Sequence, residues 1–488
     1  MVKKPDRRPL ADQNLEGVWG SIARRFPERG KLARALVDEL DEGLALLEEL
    51  QPALTFFGGA RIDRTDPFFE AAERMGEFLA DRAIPPRTGA GPGIMTAVPE
   101  GFRRRLLELG EVSRGEAVEA EAEAALVAKK DGSEPVTGRA RMLTQGFNIH
   151  LPFEQSINPA IDVALELTHF PTRKLLLWKK ALGLVVFPGG FGTLDELLEV
   201  WRHKQRKRLD LPIILFGRNF WTGLWEGIRR GGEEHSHVTI SLQDLDFIDR
   251  VTDDPEEVVN LIDGFRANRV LPEPPSAMGR RIASDLFEAL DYLDGLKPAV
   301  TFLGGSLHEE TDRTIRTAEA VAEILAREGE MPTRAGGPGA LSMALYRGGH
   351  NGRKHLPQQA FGLRREGLPT IFTADRVHIV EDRLTHKVLL TENTSAFVAL
   401  PGGLGTLDEL FSILCQLQTG KIPPRRVVLI GSTFWRPIFD AIAEQMLEGS
   451  RKTISPGDLD LVTITDDADE AAALCLEPPE DLPLIAQA

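Results

Sequence analysis

The chain has 488 residues, 42% of them hydrophobic and 27% charged, and this length predicts about two to four globular domains. Its net charge of -16 argues against a general nucleic-acid binder, which would usually carry a basic face. The two cysteines argue against a disulfide framework or a cysteine metal site and favour a reducing cytoplasm. The polar N-terminus lacks a signal core, and no apolar run approaches the roughly 18 residues of a membrane span.

The first half of the chain begins with a basic arm and a predicted helix over residues 32–50, whose apolar residues have helical spacing. An apolar strand then ends in Gly58-Gly59, and a helix follows it. A second glycine-rich turn, RTGAGPG, starts at Arg87, and the next helix is predicted to begin near Ile94. Glycine turns between strands and helices predict a doubly wound α/β sheet, with the ligand at the carboxyl ends of the strands.

The stretch PGGFGTLDEL, residues 188–197, is the centre of the first half. The apolar segment 182–187 before it predicts a buried parallel strand, and the residues after it predict a helix with Thr193 as its N-cap. Glycines and a helix N-terminus together expose backbone N–H groups to a phosphate, so the stretch predicts an anion site. It lacks the pattern GxxxxGK[ST], so an ATPase P-loop is not supported.

The same stretch recurs 213 residues later as PGGLGTLDEL, from Pro401, so the chain contains an internal duplication. TRAGGPGAL, from Thr333, aligns with RTGAGPGIM, from Arg87, at an offset of 246 residues. The difference of 33 residues places the extra sequence of the first half between its GPG turn and its PGG stretch. The Glu- and Ala-rich segment 111–132 lies there and predicts a solvated helix or a surface insertion.

These repeats divide the chain into four predicted parts. Residues 1–52 are an N-terminal arm and helix, 53–269 the first domain, 270–298 a proline-rich linker and helix, and 299–488 the second domain. The predicted fold class is α/β, with two tandem Rossmann-like doubly wound parallel sheets that carry helices on both faces.

Several charged residues of the first half have more than one interpretation. Glu196 lies three positions after Thr193, which fits a capping box as well as a carboxylate at the rim of an anion site. Arg173 and Lys174 lie on a predicted helix before the central strand, and their pattern alone favours a solvated helical face. The two histidines of EEHSH have no further ligand cluster nearby, so an exposed loop is favoured over a metal site.

The motif PGGxGTxxE, with a GxGPGIM-type turn and an Arg-Lys pair before it, resembles the LOG family of nucleoside 5'-monophosphate phosphoribohydrolases, often mislabelled lysine decarboxylases. LPFEQSIN and FPTRK are similar to a longer bacterial branch, and the resemblance covers about residues 53–265 and 299–470. It implies hydrolysis of the N-glycosidic bond to free base and ribose 5-phosphate, without metal or cofactor. Lysine decarboxylation would need a lysine that binds pyridoxal phosphate, and the sequence singles none out.

The resemblance also implies a role for particular residues. Glu196 is expected to be the catalytic carboxylate, which stabilises an oxocarbenium-like sugar or activates water, and Arg173 its catalytic or positioning arginine. The residues expected to bind phosphate and the rest of the nucleotide are Gly189, Gly190, Gly192, Thr193, Gly91, Gly93, Lys174, Glu154 and Asn158.

The second half departs from this pattern at the arginine. His386 stands in the place of Arg173, although the other counterparts are present as Gly402, Gly403, Gly405, Thr406 and Glu409. Histidine is shorter than arginine, has no guanidinium fork and is mostly neutral at pH 7. The sequence therefore predicts a catalytic first half and a degenerate second site, for which Arg383, one turn before His386, is a candidate substitute.

Two other functions stay open. A sensor or carrier of a nucleotide-like ligand would keep the glycine turns without needing both Arg173 and Glu196. Alternatively, the second half serves as a partner that completes an intramolecular pseudo-dimer about a pseudo-twofold axis, and a further homo-oligomer stays open. The expected partner is a small-molecule nucleoside monophosphate, with no nucleic acid and no membrane, in the cytoplasm. The preferred base stays open.

Overall fold

The computed structural model describes residues 27–110, 142–151, 157–207, 209–233, 240, 242–266, 275–304, 309, 311–364, 372–449 and 451–478. In the first half, strands alternate with helices. The strands are β1 (Ala53–Phe57), β2 (Pro86–Thr88), β3 (Gln145–Ile149), β4 (Val163–Leu167), β5 (Ala181–Val186), β6 (Ile213–Phe216) and β7 (Arg250–Thr252). The helices are α1 (Pro27–Glu49), α2 (Pro67–Asp81), α3 (Ile94–Glu108), α4 (Phe170–Trp178), α5 (Phe191–Gln205), α6 (Arg218–Glu233), α7 (Leu242–Leu245) and α8 (Pro255–Arg266).

The second half repeats this alternation. Its strands are β8 (Ala299–Leu303), β9 (Thr333–Ala335), β10 (Gln359–Leu363), β11 (Arg376–Val380), β12 (Thr394–Ala399), β13 (Val427–Leu429) and β14 (Val462–Ile464). Its helices are α9 (Pro275–Leu293), α10 (Arg313–Gly329), α11 (Ala340–Gly352), α12 (Arg383–Thr391), α13 (Leu404–Gln418), α14 (Ser432–Ile442), α15 (Pro456–Leu459) and α16 (Ala468–Leu476). A π-helical segment, Ala443–Glu448, extends α14.

The two halves form separate seven-stranded sheets with the same strand order. The first runs β4-β3-β2-β1-β5-β6-β7 and the second β11-β10-β9-β8-β12-β13-β14, and neighbouring strands pair in parallel. This result confirms the predicted α/β class and the tandem doubly wound sheets. The strand order reverses direction between β1 and β5, and between β8 and β12, and such a reversal opens a crevice for ligands.

The cores explain why the central strands are continuously apolar. All six residues of β5 are buried, because helices cover both faces of a parallel sheet. One face of each sheet packs into a core of its own, with Phe56 in the first half and Phe302 in the second. The other faces share one continuous core that holds residues of both halves, such as Phe191 and Phe411. The two halves are therefore packed together over an apolar interface.

Equivalent helices of the two halves meet at this interface: α5 packs on α13, α6 on α14, and α1 on α9. Glycines let α6 approach α14 closely. A Cβ atom at Gly227 would lie 2.3 Å from Cβ of Ala441, and one at Gly231 would lie 2.3 Å from the carbonyl oxygen of Phe434. Reciprocal packing of equivalent elements is the arrangement expected of a pseudo-twofold axis.

The second half differs from the predicted alignment at its GPG turn. Arg87 lies opposite Thr55 in the first sheet, and Arg334 lies opposite Thr301 in the second. Both arginines have no exposed surface, and each donates to a glutamine of the next strand. Arg334, and not Thr333, is therefore the counterpart of Arg87, because the second turn is one residue shorter.

Two further sequence predictions concern the edges of the domains. Helix α9 begins at Pro275, inside the part 270–298 that was predicted to hold a linker and a helix. The exact domain boundaries stay predictions, and the arm 1–26 and the segment 111–132 lie outside the described residues. Among the described helices, none has the length and the apolar composition that crossing a membrane requires.

Candidate functional site

The three glycine turns of the first half meet where the strand order reverses. The N–H group of Gly59, after β1, donates to the carbonyl oxygen of Pro188, after β5, over 2.9 Å. The carbonyl oxygen of Gly59 accepts from the N–H group of Ile94 over 3.3 Å. Gly93 has a φ of 69°, and a Cβ atom there would lie 2.2 Å from the oxygen of Gly59, so this position requires glycine. The predicted turns thus form one surface.

Helix α5 begins earlier than the sequence predicted. Its N-cap is Gly190, with φ -92° and ψ -155°, and no side chain caps it. The predicted N-cap Thr193 is wrong, and so is the capping box with Glu196, because Gly190 leaves the strand in an extended conformation. Thr193 instead packs on Gly189, where a Cβ atom would lie 2.1 Å from its hydroxyl oxygen. Glu196 consequently lies in the second turn of the helix.

Arg173 on α4 and Glu196 on α5 form a buried ion pair. Nη1 of Arg173 lies 3.0 Å from Oε1 of Glu196, and the two residues are 7% and 9% exposed. Nε of Arg173 donates to the carbonyl oxygen of Phe147 over 3.0 Å. A Cβ atom at Gly89 would lie 2.1 Å from Nη2 of Arg173, so this glycine of the second turn makes room for the guanidinium. The predicted solvated helical face is therefore wrong.

Burial raises the pKa of Glu196, and the positive charge of Arg173 opposes this increase. A carboxylate in an apolar pocket favours its neutral form because it has lost water, and a neighbouring guanidinium favours the charged form. Glu196 is thus a carboxylate of raised pKa beside a fixed cation. Such a group can stabilise developing positive charge or accept a proton.

Lys174, next to Arg173, faces the second half. Its ammonium lies 2.5 Å from Oδ1 of Asp195 and 3.6 Å from Oε2 of Glu199, and it donates to the hydroxyl of Ser412 over 3.1 Å. The residue is 2% exposed. Its contacts are therefore with the protein, two of them within the first half and one across the interface, and a role in binding substrate stays a prediction.

The equivalent lysine of the second half makes the reciprocal contact. Nζ of Lys387 lies 2.7 Å from Oε2 of Glu199 and 2.6 Å from Oδ1 of Asp408. Lys174 and Lys387 are equivalent positions, 213 residues apart, and so are Glu199 and Ser412. Lys174 contacts Ser412 and Lys387 contacts Glu199, so the two contacts are equivalent. The interface therefore joins the two sites through a buried chain of opposite charges.

Asn158 and Gly91 support the second glycine turn. Nδ2 of Asn158 donates to the carbonyl oxygen of Met95 over 3.2 Å, and Oδ1 accepts from the N–H group of Ala160 over 2.9 Å. The carbonyl oxygen of Gly91 accepts from the hydroxyl of Thr96 over 3.1 Å. These contacts shape the turn, and direct binding of a nucleotide by either residue stays a prediction. Glu154 lies outside the described residues.

The second half places His386 where the first half has Arg173. Nε2 of His386 lies 3.4 Å from the carbonyl oxygen of Phe361, as Nε of Arg173 lies beside Phe147, and Nδ1 lies 3.8 Å from Oε1 of Glu409. Burial lowers the pKa of His386 to about 4, so the imidazole is neutral at pH 7. The contact with Glu409 is therefore not the ion pair of the first half.

Arg383 does not replace the missing arginine directly. It forms its ion pair with Asp408, and its Nη2 stays 3.9 Å from Oε1 of Glu409. The glycine turn itself is retained, because Gly403 caps α13 without a side-chain hydrogen bond and Thr406 follows it as in the first half.

The second half also covers the PGG turn of the first half. The sequence does not predict this contact. The hydroxyl of Thr453 donates to the carbonyl oxygen of Gly189 over 3.1 Å. A Cβ atom at Gly190 would lie 2.6 Å from the carbonyl oxygen of Thr453. Arg451 holds this segment in place through an ion pair of 2.5 Å with Asp66. The repeated pattern TISxxDLD, from residues 239 and 453, was the available signal that this segment recurs.

Metal binding has no support in the described parts of the chain, where no three His, Cys, Asp or Glu side chains are grouped to hold an ion. The two histidines of EEHSH lie outside them.

A family model described as possible lysine decarboxylase matches residues 118–262 and 356–475, together more than half of the chain. Both PGG stretches, with Glu196 and Glu409, lie inside the matched segments.

Individual relatives match shorter segments. The chain is 32% identical over 120 residues to a cytokinin riboside 5'-monophosphate phosphoribohydrolase of Rhodococcoides fascians, covering 23% of this chain and 59% of that protein. A protein of the same name from Arabidopsis thaliana is 27% identical over 127 residues, covering 25% of this chain and 58% of its own length. A probable one from Oryza sativa subsp. japonica is 29% identical over 122 residues, covering 24% and 47%. The chain thus spans about half the length of these curated relatives.

Among solved structures, the molybdenum cofactor binding protein of the phototrophic bacterium Rippkaea orientalis is similar to 44% of this chain over 98% of its own, with 16% identity and a TM-score of 0.29. The family model, in contrast, matches both halves, and each match includes the glycine turn and its glutamate. This chain therefore belongs to the family described as possible lysine decarboxylase, which is the LOG family, and contains two tandem copies of the family's domain.

Proposed function

We propose that the first half of this chain hydrolyses the N-glycosidic bond of nucleoside 5'-monophosphates, giving free base and ribose 5-phosphate. The observation that carries the proposal is the buried pair of Arg173 and Glu196, 3.0 Å apart, beside the meeting point of three glycine turns. Relatives named cytokinin riboside 5'-monophosphate phosphoribohydrolases support this reaction class. The base stays open, since those relatives match over about half of their length.

In this proposal, the 5'-phosphate binds at the backbone of Gly189, Gly190 and Gly192, where the N-terminus of α5 favours an anion. Ionised Glu196 stabilises the positive charge that develops on the sugar while the C–N bond breaks and its electron pair leaves with the base. A water oxygen then bonds to the sugar carbon, and Glu196 accepts the proton that the water loses. This proton passes to the nitrogen of the departed base, which becomes the neutral free base, and Glu196 returns to its carboxylate form. Arg173 keeps the carboxylate ionised and fixes its orientation.

Decarboxylation of lysine, which the description of the family suggests, would require pyridoxal phosphate on a reactive lysine. Among the described residues, the buried lysines are Lys174 and Lys387. Both are paired with carboxylates of the protein, at 2.5 Å from Asp195 and 2.6 Å from Asp408. Neither amine is therefore free to form a Schiff base, so these residues do not fit that cofactor.

The experiment is an assay for released base with a panel of purine and pyrimidine nucleoside monophosphates. The full chain should release base from at least one of them. Glu196→Gln should lower kcat about a hundredfold to ten-thousandfold, which is the usual effect of removing one acid–base group. Arg173→Ala should also remove most activity, whereas Glu409→Gln should retain most of it, because Glu409 lacks the paired arginine.

Other outcomes point to other functions. Binding of a nucleotide without release of any base would reject the reaction and favour the alternative, a sensor or carrier of a nucleotide-like ligand. An inactive Glu409→Gln beside an active Glu196→Gln would move catalysis to the second half, with Arg383 as the working arginine. Equal losses in both variants would mean that both sites take part.

A further inference from the structure

The PGG turn of the second half, residues 401–405, faces a cation that the first half supplies. A Cβ atom at Gly405 would lie 2.8 Å from Nη2 of Arg202, on α5. At the PGG turn of the first half, a Cβ atom at the equivalent Gly192 would instead meet Sγ of Cys415, at 3.7 Å. Arg202 and Cys415 are themselves equivalent, 213 residues apart. The two turns thus share their backbone but face different residues of the opposite half.

Buried nitrogen atoms without a hydrogen-bond partner occur on Arg202 and on two residues that contact Asp408 and Glu409, in the helix that follows this PGG turn. Among the described residues, they include Nε of Arg202, Nε of Arg383 and Nδ1 of His386. Arg383 is 7% exposed and His386 is 2% exposed. Buried polar atoms in native proteins are nearly always paired, so these atoms call for a partner. Arginine nitrogens donate, and the partner that suits two of them is an anion.

His386 needs a partner of a different kind. Its Nε2 faces the carbonyl oxygen of Phe361, so Nε2 carries the proton and Nδ1 is left as an acceptor. Nδ1 lies 3.8 Å from Oε1 of Glu409, which is also an acceptor when ionised. A group that donates to both, such as a hydroxyl, would satisfy them. A sugar beside the anion supplies hydroxyl groups of this kind.

The second site also carries more positive charge than the first. The first site combines two cations with three carboxylates, namely Arg173, Lys174, Asp195, Glu196 and Glu199. The second combines three cations with three carboxylates, namely Arg383, Lys387, Arg202, Asp408, Glu409 and the shared Glu199, which lies 2.7 Å from Lys387. Burial and then the charges of Arg383 and Arg206 lower the pKa of Arg202 to about 9, so it remains charged at pH 7. A bound anion would relieve this repulsion between arginines.

We propose that the PGG turn of the second half, with Arg202 of the first half and Arg383, binds the diphosphate group of a nucleotide and retains that ligand without hydrolysis. The more positive charge favours a diphosphate over a monophosphate. Hydrolysis is not expected, because neutral His386 cannot hold Glu409 as Arg173 holds Glu196. The site is separate from the reaction proposed for the first half and does not rest on it.

The test is calorimetric titration of the full chain with pyrophosphate, ADP and AMP at low ionic strength. We expect one tight equivalent of pyrophosphate or ADP per chain, with AMP at least tenfold weaker at that site. Arg202→Met should weaken pyrophosphate binding at least tenfold, and Arg202→Lys should restore part of it because the charge returns. The matched control is Arg218→Met, which removes an exposed cation that pairs only loosely, at 3.7 Å, with Asp253.

A second measurement uses the unmodified chain, so it does not depend on a variant that folds. An arginine-specific dicarbonyl reagent, read by peptide mass spectrometry, should label Arg202 less when pyrophosphate is present and should label Arg218 equally. No pyrophosphate or ADP binding, unchanged binding by Arg202→Met, AMP binding that is tighter than that of ADP and is weakened by Arg202→Met, or unprotected Arg202 would each overturn the proposal. Base release by the first half is measured separately, so its failure leaves this result readable.

Discussion

Lys387 of the second half lies 2.7 Å from Glu199 of the first half, one turn after Glu196 on the same helix. The same ammonium lies 2.6 Å from Asp408, so a single buried cation joins carboxylates of both halves. Removing one member of a buried ion group leaves the others desolvated and uncompensated, which costs more than the pair itself gains. This contact therefore makes the relative position of the two halves sensitive to one side chain.

Lys387→Met should destabilise the chain by about 3–5 kcal/mol, the usual cost of leaving buried charges unpaired. The measurement is the free energy of unfolding in urea, for the variant and the unmodified chain. Arg230→Met is the control, since Arg230 is 62% exposed on its side chain and pairs with an exposed Glu226. It should change stability little. Equal effects of the two substitutions would show that the buried contact has no special weight.

Acid should weaken this contact as Glu199 becomes protonated. Burial tends to raise the pKa of Glu199, but Lys387 and Lys174 outweigh it and lower the pKa from 4.5 to about 2. A carboxylate of lowered pKa contributes stability that is complete above its unfolded pKa and is lost as the pH falls through the folded value. Unfolding free energies of the unmodified chain should therefore decline between about pH 4.5 and 2.

The variant Glu199→Gln tests the origin of that decline. It cannot titrate at this position, so its stability should fall less steeply over the same pH range, although its stability at pH 7 is lower. An identical slope in both proteins would assign the decline to other carboxylates.

The activity of the first half should depend on the ionisation of Glu196. Burial raises the pKa of Glu196 and Arg173 opposes the increase, so the acidic limb of kcat should lie above pH 4.5. In Arg173→Met the opposing charge is absent, and the limb should move to still higher pH, with a lower plateau. The measurement is base release between pH 4 and 9. A plateau that falls while the limb stays in place would limit Arg173 to a structural role.

Close packing of α6 on α14 gives a separate prediction. Gly227→Ala would bring a Cβ atom to 2.3 Å from Cβ of Ala441, so the helices must separate. Overpacking of this kind costs about 1–3 kcal/mol. Gly264→Ala is the matched control, because a Cβ atom there meets nothing within 4 Å. Removing a helical glycine at an open position should stabilise the chain by about 0.5–1 kcal/mol. Stabilisation by both substitutions would argue against this interface.

Much of the fold could be predicted from the sequence because its signals are local. Buried strands followed by glycine turns recur in both halves, and parallel sheets impose that pattern directly. The predicted start of α5 is wrong. Thr193 is a residue type that favours the N-cap position, but Gly190 has the backbone conformation that an N-cap requires. The turn before Gly339 was misaligned because its glycines match those of the turn before Gly93. The strand that precedes it, with Arg334, is nevertheless shifted by one residue relative to the strand with Arg87.

The site was predicted less completely, because part of it comes from distant sequence. Lys174 was interpreted as solvated, but Ser412, 238 residues away, covers its ammonium. Thr453 reaches Gly189 over 264 residues, and no local periodicity reports such a contact. The pairing of Arg173 with Glu196 was foreseen only through the family motif, since spacing alone does not show that α4 and α5 face each other.

The exchange of Arg202 for Cys415 at equivalent positions has a consequence for how such a protein can change. In an assembly of two identical chains, a single substitution alters both sites at once, so neither can specialise alone. Here the two copies are encoded separately, and a codon that changes at position 202 alters only the surroundings of Gly405. Gene fusion thus releases each pocket from the symmetry of its neighbour, and one can drift in chemistry while the other is held by selection.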